Sequence, residues 1–198
     1  MKVYIITGTP GCGKTTIAKR LSKKIKAKYI SLNNLASSEE FIEGFDEERD
    51  TYITNTEKLT AHLHQVIKQT IEKKKIKTLI IEGHFADIVP NEYIDIVIIL
   101  RCHPDILKQR LAERNYNQKK VRENVQAEIL GNASNYIMKK NLKCPVYEID
   151  TTKKTIPQMI ETIQKILAGQ EIKDEYKFGS IDWLEQLSEE GRLNEFFD

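Results

Sequence analysis

Cysteine is scarce in this 198-residue chain. Cys12, Cys102 and Cys144 are odd in number and scattered without a C-x-x-C pair, which argues against a disulfide framework and against a zinc site, and for a reducing compartment. Long apolar runs are missing too. The opening Met1-Lys2-Val3-Tyr4-Ile5-Ile6-Thr7 carries only a few apolar residues before a glycine-rich turn, too few for a signal peptide or a membrane span. A soluble, intracellular, cytoplasmic protein with no membrane partner is therefore expected. Charge of one sign is also lacking: 31 Lys and Arg stand against 29 Asp and Glu, a net +2, so no strong field favours nucleic acid as the main partner. The lysines at Lys23, Lys24, Lys26 and Lys28 and at Lys73 to Lys75 fall where helices are expected to end, as solvated charge that complements the helix dipoles. There is no internal repeat and no low-complexity segment. A single domain remains, long enough to bury a core without metal or disulfide staples.

Short apolar runs alternate with helical periodicities, the pattern of a parallel sheet with helices on its faces. Val3 to Thr7, Thr78 to Glu82, Ile94 to Arg101 and Val146 to Asp150 read as buried strands rich in Ile, Val or Leu, and Lys28 to Leu32 is a weaker fifth candidate. Leu59, Leu63, Val66, Ile67 and Ile71 define one amphipathic helix, with Asn55 or Thr56 as its cap. Val121, Val125, Ile129, Ala133 and Ile137, at four-residue steps, predict one helix from about residue 119 to 140. Ile156, Met159, Ile160, Ile163 and Leu167 predict another. These make a domain over residues 1–168. From Gly169 onward the chain is a charged tail whose Trp183, Leu184 and Leu187 share a helical face ahead of Leu193, Phe196 and Phe197. Such a tail either packs back on its own domain or serves as a docking helix for a partner.

The chemistry is concentrated in Gly8-Thr9-Pro10-Gly11-Cys12-Gly13-Lys14-Thr15, a complete G-x-x-x-x-G-K-[ST] placed directly after a strand and opening a helix. Its glycines let backbone N–H groups turn inward around phosphate oxygens, and the helix N-terminus adds partial positive charge. Lys14 is expected to reach the β- and γ-phosphates and the Thr15 hydroxyl to hold magnesium. The ATP-binding set is then Gly11, Cys12, Gly13, Lys14, Thr15 and Thr16. Glu82 closes a buried strand, either as a group that holds a metal-bound water or as a simple loop-side charge. His84 either orients an attacking water or phosphate or is a hydrogen-bonded surface histidine. Phosphoryl transfer needs positioned cations. Arg110 and Arg114, four residues apart and expected on one helix face, are the candidates, and Arg101 lies upstream of them. The polar break from Asn115 to Lys120 is a short lid candidate.

The assembled segments resemble the atypical adenylate kinase family that also acts in small ribosomal subunit biogenesis, the isoenzyme 6 type, including its archaeal members. The likeness runs from Val3 to about Lys139. It is carried by the phosphate loop through Thr16, by Gly44-Phe45-Asp46-Glu47-Glu48, by Glu82-Gly83-His84, by Arg110-Leu111-Ala112-Glu113-Arg114-Asn115-Tyr116-Asn117 and by Asn124-Val125-Gln126-Ala127-Glu128-Ile129. It implies an α/β nucleoside monophosphate kinase fold with a five-stranded parallel sheet, a monophosphate-binding segment over about residues 31–54 and a short lid over about 113–123. It implies ATP and AMP as substrates, additional ATP hydrolysis, adenine near Arg114 and Asp150-Thr151-Thr152, and contacts with a small-subunit ribosomal protein and pre-ribosomal RNA. The chain departs from the family pattern where Ser37 replaces arginine, where Glu82 replaces aspartate, and where Gly83-His84-Phe85-Ala86 lacks the arginine by which ordinary adenylate kinases grip AMP. Arg49 is available to compensate. These departures leave open an enzyme that is primarily an ATPase assembly factor, and the scaffold alone also admits a kinase of another small metabolite.

Overall fold

The computed structural model describes residues 1–47, 51–114 and 116–197. In chain order the elements are β1 (Lys2–Gly8), α1 (Lys14–Lys24), β2 (Lys28–Ser31), α2 (Leu32–Ala36), β3 (Ile42–Asp46), β4 (Thr51–Thr54), α3 (Thr56–Glu72), β5 (Thr78–Glu82) and β6 (Ile96–Arg101). There follow α4 (Pro104–Ala112), α5 (Gln118–Ile129), α6 (Asn132–Lys139), β7 (Val146–Asp150), α7 (Ile156–Leu167), α8 (Trp183–Glu189) and α9 (Asn194–Phe197).

The five strands predicted from apolar runs form one parallel sheet in the order β2-β5-β1-β6-β7. Strand alternation sorts its side chains onto two faces. Val3, Ile5, Leu79, Ile81, Val97 and Ile99 meet Leu59, Leu63 and Ile67 of α3 on one side. Ile6, Ile80, Ile98, Leu100 and Ile149 meet α1 and α7 on the other, where Ile17, Leu21, Ile160 and Ile163 are buried. Because β1 lies between β5 and β6, the chain leaves it toward one edge and later returns on its other side. A crevice opens at the carboxyl end of β1, where α/β sheets bind ligands.

Capping chemistry explains several helix starts. The Asn55 side chain accepts the Lys58 N–H at 2.7 Å, that of Asn117 accepts the Lys120 N–H at 2.7 Å, and Thr155 with Gln158 forms a capping box ahead of α7. The single helix expected over 119–140 is two. Gly131 adopts φ +62, a left-handed geometry that ends α5 and starts α6. The break has a packing consequence: Val125 and Ile129 join the core beside α1, whereas Ala133 and Ile137 join the core on the opposite side of the sheet. A straight helix cannot present one stripe to both. Within the segment expected to bind a monophosphate, β3 and β4 form an antiparallel hairpin that the sequence pattern did not reveal. Glu48, Arg49, Asp50, Asn115 and the terminal Asp198 lie outside the described residues.

The charged tail returns to the domain. Trp183, Leu187 and Phe196 are buried, the last two in the core that holds Cys12 and Ile17. The Gln126 amide donates to the Phe196 carbonyl at 2.8 Å, and Arg192 pairs with Asp105 of α4 at 3.1 Å. Among the described residues no helix is long and apolar enough to cross a membrane.

Candidate active site

The phosphate loop begins where β1 ends. Gly8 has φ +138, and a Cβ there would lie 2.2 Å from the Leu100 carbonyl oxygen of neighbouring β6. Gly11, at φ +97, would place a Cβ 2.5 Å from Leu107 Cδ1. The loop therefore packs its glycine backbone directly against β6 and α4, which a larger residue prevents. Lys14 follows at the first turn of α1, 7% exposed, its Nζ donating to the Thr9 carbonyl at 3.0 Å. Burial lowers its pKa, opposed by the negative groups around it, Glu82 and Glu128 among them. The ammonium is thus folded over the loop it serves.

Beneath Thr15 sits a closed oxygen cluster. The Thr15 hydroxyl is 3.3 Å from both carboxylate oxygens of buried Glu82, while Tyr29 and Ser31 donate to Glu82 Oε1 at 2.8 and 2.7 Å. The two donors come from β2, whose register places Ser31 beside Glu82. Burial and the bond to this carboxylate push the Tyr29 phenol up to about 12. A hydroxyl paired with a carboxylate is the hard-oxygen donor set that magnesium takes, with water completing its shell. Among the described residues no cluster of three or more His, Cys, Asp or Glu is arranged to hold a metal, so a cage of soft or imidazole ligands is not what this site offers.

The loop faces a pocket of about 530 Å³, of the size that takes a nucleotide. Lys14, Thr15, Thr16, His84 and Arg114 all line it, brought together from α1, the segment after β5 and the turn after α4. Cys12 is fully buried behind the loop instead, with its thiol pKa raised by burial and by Glu128. His84 Nδ1 lies 3.3 Å from Asn33 Oδ1, and its ring stands edge-on to Phe85 at 4.6 Å. The ring edge reaches solvent, yet the pocket walls strip it of much of its water. That desolvation and the Lys14 charge lower its pKa to about 4, leaving a neutral imidazole at physiological pH.

The two arginines part company. Helix α4 ends at Ala112, so Arg114 sits in the turn beyond it and on the pocket wall. Arg110 does not line that pocket: its guanidinium donates to the Thr151 hydroxyl at 3.1 Å and the Thr151 carbonyl at 2.8 Å, and lies 3.3 Å from Cys102 Sγ. The expectation of two arginines on one helix face fails because the helix stops between them. Arg110 instead ties α4 to the loop after β7.

Sequence spacing also missed a buried carboxylate. Glu128 of α5, 1% exposed, accepts Arg101 Nε at 2.8 Å, the Cys102 N–H at 3.0 Å and Trp183 Nε1 at 3.2 Å, all on Oε1. Its Oε2 accepts the Thr9 hydroxyl of the phosphate loop. Arg101 in turn donates to Glu148 Oε1 at 3.3 Å and to the Ile181 carbonyl at 3.1 Å. Burial opposes the Arg101 charge, but Glu128 and Glu148 outweigh it and hold its pKa up. Its traces in the sequence are a glutamate between Val125 and Ile129 in an amphipathic helix and its place in the family-like segment from Asn124 to Ile129.

A five-stranded parallel sheet that delivers a lysine-bearing phosphate loop to a polar cleft defines a P-loop nucleotide-binding protein. The family model described as an AAA domain matches residues 5–131. A Methanocaldococcus jannaschii protein named "Putative adenylate kinase" is 37% identical over 91% of this chain and 92% of its own length. A Methanosarcina acetivorans protein of the same name is 37% identical over 92% and 97%. Adenylate kinase isoenzyme 6 homolog FAP7 of Saccharomyces cerevisiae is 31% identical over 97% of this chain and 88% of its own. The chain belongs to this adenylate kinase isoenzyme 6 family of P-loop proteins, on the side of its archaeal members. In fold it is similar to a Bacteroides thetaiotaomicron shikimate kinase (TM-score 0.54, 19% identity, 84% of this chain and 98% of the other). A deoxyadenosine kinase from M. mycoides gives a TM-score of 0.51 at 17% identity over 84% and 99%.

Proposed function

We propose that this protein is a magnesium-dependent ATP:AMP phosphotransferase that also hydrolyses ATP. The observation that carries the reading is the single pocket that joins the phosphate loop, Lys14 and Arg114 to His84, Asn33 and the hairpin residue Thr51. Donor phosphates meet the loop N–H groups, Lys14 and the dipole of α1. Arg114, in the turn that opens the lid over about residues 113–123, supplies the further cation that charge developing on the transferred group requires. Thr15 directly, and Glu82 through water, are the residues that would hold magnesium, which when bound neutralises phosphate charge. The acceptor lies toward Asn33 and Thr51, in the segment over about residues 31–54. Arg110 anchors the Asp150-Thr151-Thr152 loop through its bonds to Thr151, and family kinship points to that loop as the neighbour of the adenine of ATP.

Hydrolysis is favoured by His84. A neutral imidazole within the pocket is able to accept a hydrogen bond from an attacking water and so orient it, which an imidazolium is not. The role in small ribosomal subunit maturation, with a ribosomal protein and pre-ribosomal RNA as partners, rests on kinship alone, and co-sedimentation of the tagged protein with small-subunit precursors tests it. The test of the reaction is ADP formation from ATP and magnesium with and without AMP, CMP or UMP, following the fate of the monophosphate. Conversion of AMP to ADP in step with ATP loss supports the kinase. Phosphate release with the monophosphate untouched makes ATP-driven assembly the primary activity.

A further inference from the structure

The buried network behind the loop belongs to no assigned function, yet it joins the C-terminal tail to the residue that holds Lys14. The Glu128 carboxylate receives five hydrogen bonds from three separate segments: the phosphate loop through Thr9 and the Cys12 thiol, the end of β6 through Arg101 and Cys102, and α8 through the Trp183 indole. Thr9 meets Glu128 with its hydroxyl and both the Lys14 ammonium and the Cys12 N–H with its carbonyl. Fixing the Thr9 side chain therefore fixes the carbonyl that sets where Lys14 waits. Trp183 is held on its other side by His103, edge-on at 5.2 Å, and the preceding Ile181 carbonyl is bonded to Arg101. None of Glu128, Arg101 and Trp183 lines the nucleotide pocket.

We propose that Glu128 and Trp183 are positioning residues through which the C-terminal tail holds Thr9, and with it Lys14, in the geometry needed for phosphoryl transfer. A carboxylate sharing one oxygen among three donors has its orientation over-determined, and its second oxygen is then aimed at Thr9. Loss of the indole donor leaves Oε1 held only by Arg101 and the Cys102 N–H, which slackens the aim of Oε2, and the loop loses definition where the γ-phosphate must be met. The ground-state contacts from the loop backbone persist, so the transfer rate suffers more than ATP affinity.

The kinetic part rests on the nucleotide-kinase reading. Trp183→Phe keeps an aromatic ring at the site and removes the N–H; kcat is expected to fall about tenfold with KM for ATP within about twofold. Thr9→Val should show the same split, Thr9→Ser should restore kcat, and the double variant Trp183→Phe/Thr9→Val should lose little beyond the worse single. A second readout needs no turnover. Trp183 is the sole tryptophan, so saturating ATP with magnesium should shift its emission although the nucleotide does not touch it. In Thr9→Val, at occupancy matched by equilibrium dialysis, the shift should vanish. An unresponsive wild-type emission, an equal shift in Thr9→Val, or additive kinetic losses overturns the proposal. A responsive emission in a protein that transfers no phosphoryl group overturns the kinase reading and leaves the brace standing.

Discussion

Replacing Lys14 by Met should make the protein more stable and nearly inactive at once. The side chain is 7% exposed and its pKa is lowered chiefly by burial, so the folded state holds an ammonium it would be easier to lack. Methionine is one atom shorter but close in volume, so little space opens. The variant gives up the 3.0 Å bond to the Thr9 carbonyl, worth about 1.5–3 kcal/mol for a charged donor. It also sheds the effective penalty of taking an ammonium out of water, several kcal/mol. The Thr9 carbonyl still has the Cys12 N–H at 3.2 Å, so no acceptor is stranded. Attraction from Glu82 and Glu128 trims the gain, and a net of about 1–2 kcal/mol remains, which in a domain of this size raises Tm by roughly 2–8 °C. Activity moves the other way: removing the cation that meets charge on the transferred group should lower kcat by about 10²–10³ or more. Scanning calorimetry and a coupled ADP assay measure the two. A Tm below that of the wild type by more than a few degrees, or turnover above roughly a tenth of wild type in folded protein, refutes the assignment of Lys14 as a buried cation serving the phosphates.

Three further expectations follow from the geometry. His84, with its pKa lowered to about 4, takes up its proton less readily folded than unfolded, so its contribution to stability is complete above about pH 6.5 and is lost as pH falls from there toward 4. Urea midpoints at pH 7.5 and pH 5 should converge slightly in His84→Gln, and ATP hydrolysis without acceptor should fall more than nucleotide affinity; unchanged hydrolysis would return His84 to a structural role. Gly11→Ala combines a φ of +97 with a Cβ 2.5 Å from Leu107 Cδ1, and should cost about 2–4 kcal/mol in denaturant unfolding and weaken ATP binding. Arg110→Lys replaces a fork bonded to Thr151 by a single ammonium; stability should drop by about 1–2 kcal/mol while kcat stays within about threefold. A hundredfold loss of kcat at unchanged stability would place Arg110 on the phosphates after all.

Residues contiguous in the chain were legible before the structure. The G-x-x-x-x-G-K-T loop is read directly because its chemistry is local: the glycines, the lysine and the helix start act within eight residues. The sheet was legible because strands buried on both faces are near-continuous apolar runs. The break at Gly131 was not, since a four-residue apolar step continues through it and only the need to serve both faces of the sheet separates α5 from α6. Arg110 and Arg114 were paired on spacing, which holds only while the helix lasts, and α4 ends at Ala112. Tyr29 and Ser31 reach Glu82 across more than 50 residues, and Thr9 meets Glu128 across 119.

By itself the sequence determined the sheet, the phosphate loop and the charge that loop presents, because each depends on neighbours along the chain. Only the tertiary structure decided which polar side chains are buried together, sending the tail's Trp183 to Glu128 and leaving Arg110 away from the pocket. Hydrogen bonds between distant segments are chosen when the whole core closes, where nearly every buried donor and acceptor must find a partner, and no local pattern in the chain records that choice.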